Sequence, residues 1–218
     1  MFRFYLLRKS MLEKYKKYLQ KLDQKITEYF KSQEQFIVCK PGCAICCKNS
    51  YYIVSQVEYD FIREGFKQLN PEKQDIINEK AIKIYKDRKE FLKINPDILK
   101  FTYKCPFLED ASCSLYEYRP MICRSHGLLY KDVDKENKIN LPYCVDLGLN
   151  YANVWDGSTK SFSLEKMRKL GLISTPEAFD LSYSSMMKST EDVEFGDVRM
   201  IIEWIIFDIP NYEELIKV

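Results

Sequence analysis

At 218 residues, 46% apolar and 30% charged with a formal net charge of +2, the chain reads as one globular domain with its own core. That composition excludes a disordered or fibrous chain, and charge this near balance makes no electrostatic case for nucleic acid. Seven glycines are few for a protein built on glycine-rich phosphate loops. Eight cysteines are many for a chain long enough to need no disulfide staples.

In chain order, Leu12, Tyr15, Leu19, Leu22, Ile26 and Tyr29 recur every three or four residues and predict a helix with one apolar face. Lys14, Lys16, Lys17, Lys21, Lys25 and Lys31 fall mostly on the other faces. They read as a solvated surface rather than a grip on RNA or membrane. Residues 36–50 read as irregular and hold four cysteines. Tyr51 to Val54 reads as a short strand. Ser55 and Glu58 have capping-box spacing, so a helix should follow with Val57, Phe61, Ile62, Phe66 and Leu69 inward. Asn70-Pro71-Glu72 ends that helix and opens a second, marked by Ile77, Ala81, Ile84, Tyr85, Phe91 and Leu92 and closed before Asn95-Pro96.

Residues 104–144 read as loops with four more cysteines. Pro120 to Cys123 suits a short helix. Leu128 to Tyr143 suits a hairpin or extended loop that turns through Asp132 to Lys138. Leu164, Met167 and Leu170 mark a helix stopping at Gly171. Thr175-Pro176-Glu177 is expected to open another helix. Val198, Ile201, Ile202, Ile205 and Ile206 form an apolar stripe, and Asn211 to Glu214 has the spacing of a final turn. The expected fold is mainly α, a helical domain with irregular cysteine-rich loops and room for one small β-hairpin. It is read as a single domain over 1–218, with an N-terminal helix (1–35), a cysteine-cluster core (36–145) and a C-terminal helical extension (146–218).

Arg3 interrupts the first apolar residues and Arg8-Lys9 follow, so no secretory leader is expected. Val198 to Ile209 is broken by Arg199, Glu203 and Asp208 and is not a membrane span. The expected location is the cytoplasm, where clustered cysteines point to metal or catalysis before cross-links.

The cysteines form two groups: Cys39, Cys43, Cys46 and Cys47, then Cys105, Cys113, Cys123 and Cys144. All eight are candidate metal ligands, on a site expected to join the loops at 39–47 and 105–144. Zinc takes four thiolates in a tetrahedron, and a four-iron cluster also takes four, one per iron. Two or three intervening residues let a turn aim successive sulfurs at one centre, and Pro41-Gly42 suits such a turn. Adjacent Cys46 and Cys47 are awkward for a single ion, because neighbouring side chains point apart unless the backbone bends sharply. Either they serve two centres, or one lies behind the other. Eight thiolates suffice for two four-cysteine centres, or for one cluster with spare cysteines. Arg119, Arg124 and Lys104 are placed to offset thiolate charge. His126, the sole histidine, is a substitute zinc ligand or an ordinary loop histidine. Glu117 and Arg119 are expected to brace the second loop as a pair. Cys39-x3-Cys43-x2-Cys46 also has the spacing of the radical S-adenosylmethionine motif. The alternating strands and helices of that barrel are missing, which counts against it.

Cys39 to Cys47, then Cys105-Pro106-Phe107-Leu108, then Cys113 through Tyr116-Glu117-Tyr118-Arg119-Pro120 to Cys123-Arg124, together resemble the CxxCxxCC family of YkgJ-type cysteine-cluster proteins. The resemblance covers about residues 37 to 145, with one extra residue between Cys39 and Cys43. It implies a zinc- or iron-chelating domain. The family includes flagellin lysine N-methylase-like proteins associated with an iron–sulfur cluster. It therefore also implies methyl transfer from S-adenosylmethionine to a protein such as flagellin as the alternative function. The adjacent cysteines and the methylase relatives favour an iron–sulfur cluster over zinc. No glycine-rich strand–turn–helix segment for S-adenosylmethionine is visible. No membrane or nucleic-acid partner is expected.

Overall fold

A computed structural model describes residues 2–40 and 42–216. In chain order the elements are α1 (Phe2–Ser32), α2 (Ile45–Lys48), β1 (Ile53–Ser55), α3 (Gln56–Phe66), α4 (Pro71–Ile94), β2 (Leu108–Glu109), β3 (Ser112–Cys113), α5 (Met121–Ser125), β4 (Tyr130–Asp132), β5 (Lys138–Asn140), β6 (Trp155–Asp156), β7 (Ser161–Phe162), α6 (Leu164–Lys169), α7 (Tyr183–Lys188), β8 (Val198–Met200), α8 (Ile201–Asp208) and α9 (Tyr212–Leu215). The class is mainly α with small antiparallel pairs: β1–β8, β2–β3, β4–β5 and β6–β7. Among the described residues no helix is long and apolar enough to cross a membrane. The chain divides into two compact units. The first is Met1–Tyr15, Ala44–Pro120 and Glu194–Val218; the second is Lys16–Cys43 and Met121–Val193.

In the first unit, Ser55 caps α3 through the full capping box. Its side chain accepts from Glu58 N, while Glu58 Oε2 accepts from both Ser55 N and Ser55 Oγ at 2.9 Å. Glu58 is fully buried, so that reciprocal pairing satisfies a carboxylate that water does not reach. Asn70 Oδ1 accepts from Lys73 N at 2.8 Å and Pro71 occupies the first turn, which starts α4 as expected. Helix α8 packs against α4. Arg88 donates to Glu203 at 2.6 Å across that contact, and Trp204 Nε1 donates to Val54 O at 2.9 Å. The core gathers Val54, Ile62, Ile77, Ala81, Phe101, Phe107, Ile202 and Ile206. Gly65 makes room for the Tyr118 ring, which a Cβ there would strike. The apolar stripe begins at Ile201, because Val198 is strand and 41% exposed.

In the second unit, Leu19, Leu22 and Ile26 of α1 are buried, and the Tyr29 ring stacks on Phe179 with centroids 3.9 Å apart. A core of Phe36, Leu129, Val145, Tyr151, Val154, Met167 and Ala178 fills the unit. The hairpin expected between Leu128 and Tyr143 is β4–β5, registered Tyr130 to Asn140. The helix expected at Thr175-Pro176-Glu177 does not form. Glu177 N donates instead to Gln33 Oε1 at 3.1 Å, and Phe179 N and O bond Leu129 O and Lys131 N. Those tertiary bonds hold the segment extended, and the helix starts later at Tyr183, capped by Ser182.

Candidate metal centre

Cys46 and Cys47 lie on α2, a four-residue helix in the stretch expected to be irregular. In a helix, successive side chains diverge by about 100° rather than pointing to opposite faces as on a strand. The two sulfurs consequently approach to 4.0 Å. That answers the expected awkwardness of adjacent cysteines: the backbone turns enough to aim both at one place. Tyr52 fixes the end of the loop by donating to Cys46 O at 3.0 Å.

A distant segment is zipped onto this one. Ser50 and Tyr103 exchange backbone hydrogen bonds of 2.8 and 3.1 Å, and Cys105 N donates to Cys47 O at 2.7 Å. Cys105 then enters the β2–β3 hairpin, where Cys113 is registered opposite Leu108. Cys105 belongs to the buried core of the first unit, and Cys47 and Cys113 pack against that core. Four of the eight cysteines therefore belong to one unit, three of them on the same apolar cluster.

The thiols differ electrostatically. The neighbouring Cys47 thiol, aided by backbone N–H groups and Tyr52, pulls Cys46 down to about 6 against its burial. Full burial pushes Cys105 up to about 12, although Lys80 works the other way. Cys113 is raised by burial, opposed by backbone bonding and by Arg119. Of the cations expected to offset thiolate charge, Arg119 acts on Cys113, and its guanidinium lies 3.6 Å over the Tyr116 ring. Arg124 is committed to Asp23 at 2.7 Å. Lys80 was not foreseen, because it comes from the middle of α4, far along the chain.

The other four cysteines belong to the second unit. Cys43 N donates to Lys40 O at 2.9 Å, closing the turn after Cys39; Gly42 takes φ +89 there, and Pro41 lies outside the described residues. The fully buried Asn150 holds this loop. Its Oδ1 accepts from Val38 N at 2.9 Å and Cys39 N at 2.8 Å, and its Nδ2 donates to Gly127 O at 2.9 Å. Gly127, at φ +103, is required there, because a Cβ would sit 2.8 Å from Asn150 Nδ2. Cys123 lies on α5 just before that turn. Cys144 lies a turn before the same asparagine, and Leu149 N donates to Cys144 O at 3.1 Å. His126 is lowered by burial, against a backbone hydrogen bond at Ile122 that raises it.

None of the eight cysteines is in a disulfide. Among the described residues, no three His, Cys, Asp or Glu side chains have their donor atoms already converged on a metal position. The donor chemistry nonetheless fits. A tetrahedral zinc–thiolate site with bonds of about 2.3 Å places its sulfurs about 3.8 Å apart. The Cys46–Cys47 separation is close to that edge. A four-iron cluster takes one thiolate per iron and spreads its sulfurs wider, whereas a two-iron cluster takes two thiolates on each iron. The pair thus suits two thiolates on one metal atom, and gathering the remaining thiols becomes part of binding.

No curated protein and no solved structure matches the chain. Residues 38–145, the span that holds all eight cysteines, match the family CxxCxxCC, described as "Putative zinc- or iron-chelating domain".

Proposed function

We propose that this protein binds zinc or iron through cysteine thiolates, and that Cys46, Cys47, Cys105 and Cys113 are the ligands of one mononuclear centre. Cys39, Cys43, Cys123 and Cys144 are the remaining ligand candidates. One observation carries the reading: two thiols at a chelating separation of 4.0 Å, backbone-bonded to a segment that brings two more onto the same core. A bound ion supplies a cross-link there. The protein's residues do the rest: Tyr52 anchors the first loop, the Ser50–Tyr103 bonds set the approach, and Arg119 and Lys80 offset the negative charge. Cysteines in this number without a disulfide suit a reducing compartment, and the cytoplasm is the proposed location.

The test is anaerobic purification followed by measurement of zinc, iron and sulfide per chain. Zinc, or iron without sulfide, retained by the native chain and lowered by about one ion per chain in Cys46→Ser/Cys47→Ser supports the centre. Matched iron and sulfide with broad visible absorption would replace the single ion by an iron–sulfur cluster, the sequence-based preference. In that case S-adenosylmethionine binding becomes the entry test for methyl transfer. A folded chain that takes up neither metal sinks the reading.

A further inference from the structure

We propose that the eight cysteines form two separate four-thiolate centres, one in each unit, rather than one centre with spare cysteines. The second centre takes a thiophilic divalent ion such as zinc on Cys39, Cys43, Cys123 and Cys144. This rests on reading the chain as a thiolate metal binder, and adds the number of centres and the division of ligands.

The division follows the fold and not the sequence order. Cys39 to Cys47 is one short loop, yet it contributes Cys39 and Cys43 to the second unit and Cys46 and Cys47 to the first. The later group divides in the same way: Cys105 and Cys113 go with the first unit, Cys123 and Cys144 with the second. Each unit so receives two cysteines from each group. Four thiolates complete a zinc shell, and so each unit holds one full complement.

Within the second unit, Asn150 ties two cysteine-bearing segments together and its neighbour Leu149 bonds to the third. Asn150 Oδ1 takes the N–H groups of Val38 and Cys39, its Nδ2 reaches the turn that follows Cys123, and Leu149 beside it bonds back to Cys144. The Lys40–Cys43 turn keeps Cys43 with Cys39. A buried asparagine with both ends of its amide spent on backbone holds loop geometry in place. Here the loops it holds are the ones that carry thiols. Asn150 is therefore a positioning residue for this centre.

The experiment is a titration of the metal-free native chain with Co2+ under argon, read by the charge-transfer and ligand-field bands of tetrahedral thiolate cobalt. It is followed by alkylation of the loaded protein and mass-spectrometric counting of protected thiols. Two centres predict saturation at about two ions per chain, with all eight thiols protected. Cys46→Ser/Cys47→Ser and Cys123→Ser/Cys144→Ser should each keep about one ion, protecting opposite sets. Asn150→Ala should weaken one of the two binding steps about tenfold or more and leave the other unchanged. Saturation at about one ion, with four thiols protected, overturns the second centre while leaving the proposed function standing. No cobalt binding at all overturns the proposed function itself. The native-chain count decides the matter even if a serine variant fails to fold.

Discussion

The two halves of the cysteine set are held by opposite means. In the first unit three of the four thiols sit on apolar packing: Cys105 is buried in the core, with Cys47 and Cys113 against it. In the second unit Cys39 is exposed, and its loop is held by the amide of one buried asparagine. Hydrophobic burial orders a thiol but resists its ionisation, since charge in an apolar site is costly. A hydrogen-bonded loop orders its thiol by only a few directional bonds. A cysteine loop can thus be fixed by its surroundings or by its backbone, and the two solutions should fail differently.

The largest contrast should appear in alkylation of the metal-free protein. At pH 7 the Cys46 thiol, pulled down to about 6, is mostly thiolate, whereas Cys105, pushed up to about 12, is protonated and buried. Only the thiolate attacks, so Cys46 should react with iodoacetamide more than about a hundredfold faster than Cys105. Lowering the pH to 5 reprotonates Cys46 and should slow it about tenfold. Both thiols belong to the first unit, so equal rates at pH 7 by peptide mapping would break the claim that apolar burial there holds Cys105 protonated.

Next in size is Glu58→Ala. It strips the partner from the buried backbone N–H and hydroxyl of Ser55, and should cost about 3 kcal/mol in urea unfolding. Glu58→Gln, which keeps an acceptor, should cost less. Asn150→Ala should follow at about 2 kcal/mol, because water can reach the donors of exposed Val38 and Cys39 once the amide is gone. Its signature is faster amide exchange at those two residues, and unchanged exchange there would break the claim that the amide holds the loop. Ile173, fully exposed, is the control: Ile173→Ser should stay within about 0.5 kcal/mol.

What the sequence made legible was local. Ser55 with Glu58, Asn70 before Pro71, and the α1 face from Leu12 to Ile26 all depend on neighbours within a turn or two, and the structure has them where the spacing placed them. The failures are tertiary. Thr175-Pro176-Glu177 carries a good helix start, but Gln33, 144 residues away, takes the Glu177 N–H. Asn150 left no local pattern, because its partners lie 111 and 23 residues distant. The cysteines themselves were visible as candidate ligands. Their assignment to units was not, because adjacent cysteines and cysteines three apart look alike in one dimension. The short helix at Ile45–Lys48 was missed for a similar reason: four residues hold no full period.

The exchange of bonds between Ser50 and Tyr103 spans 53 residues of chain. Closing so long a loop has an entropic cost that local hairpins avoid, and contacts of that separation form late in folding. The β2–β3 hairpin and the turn of α2 can assemble on their own, but their meeting must wait for α3 and α4. During synthesis, Cys46 and Cys47 leave the ribosome long before Cys105 and Cys113 exist to join them. A nascent chain therefore offers a bare vicinal dithiol to the cell, and early metal capture or oxidation at that pair would compete directly with maturation.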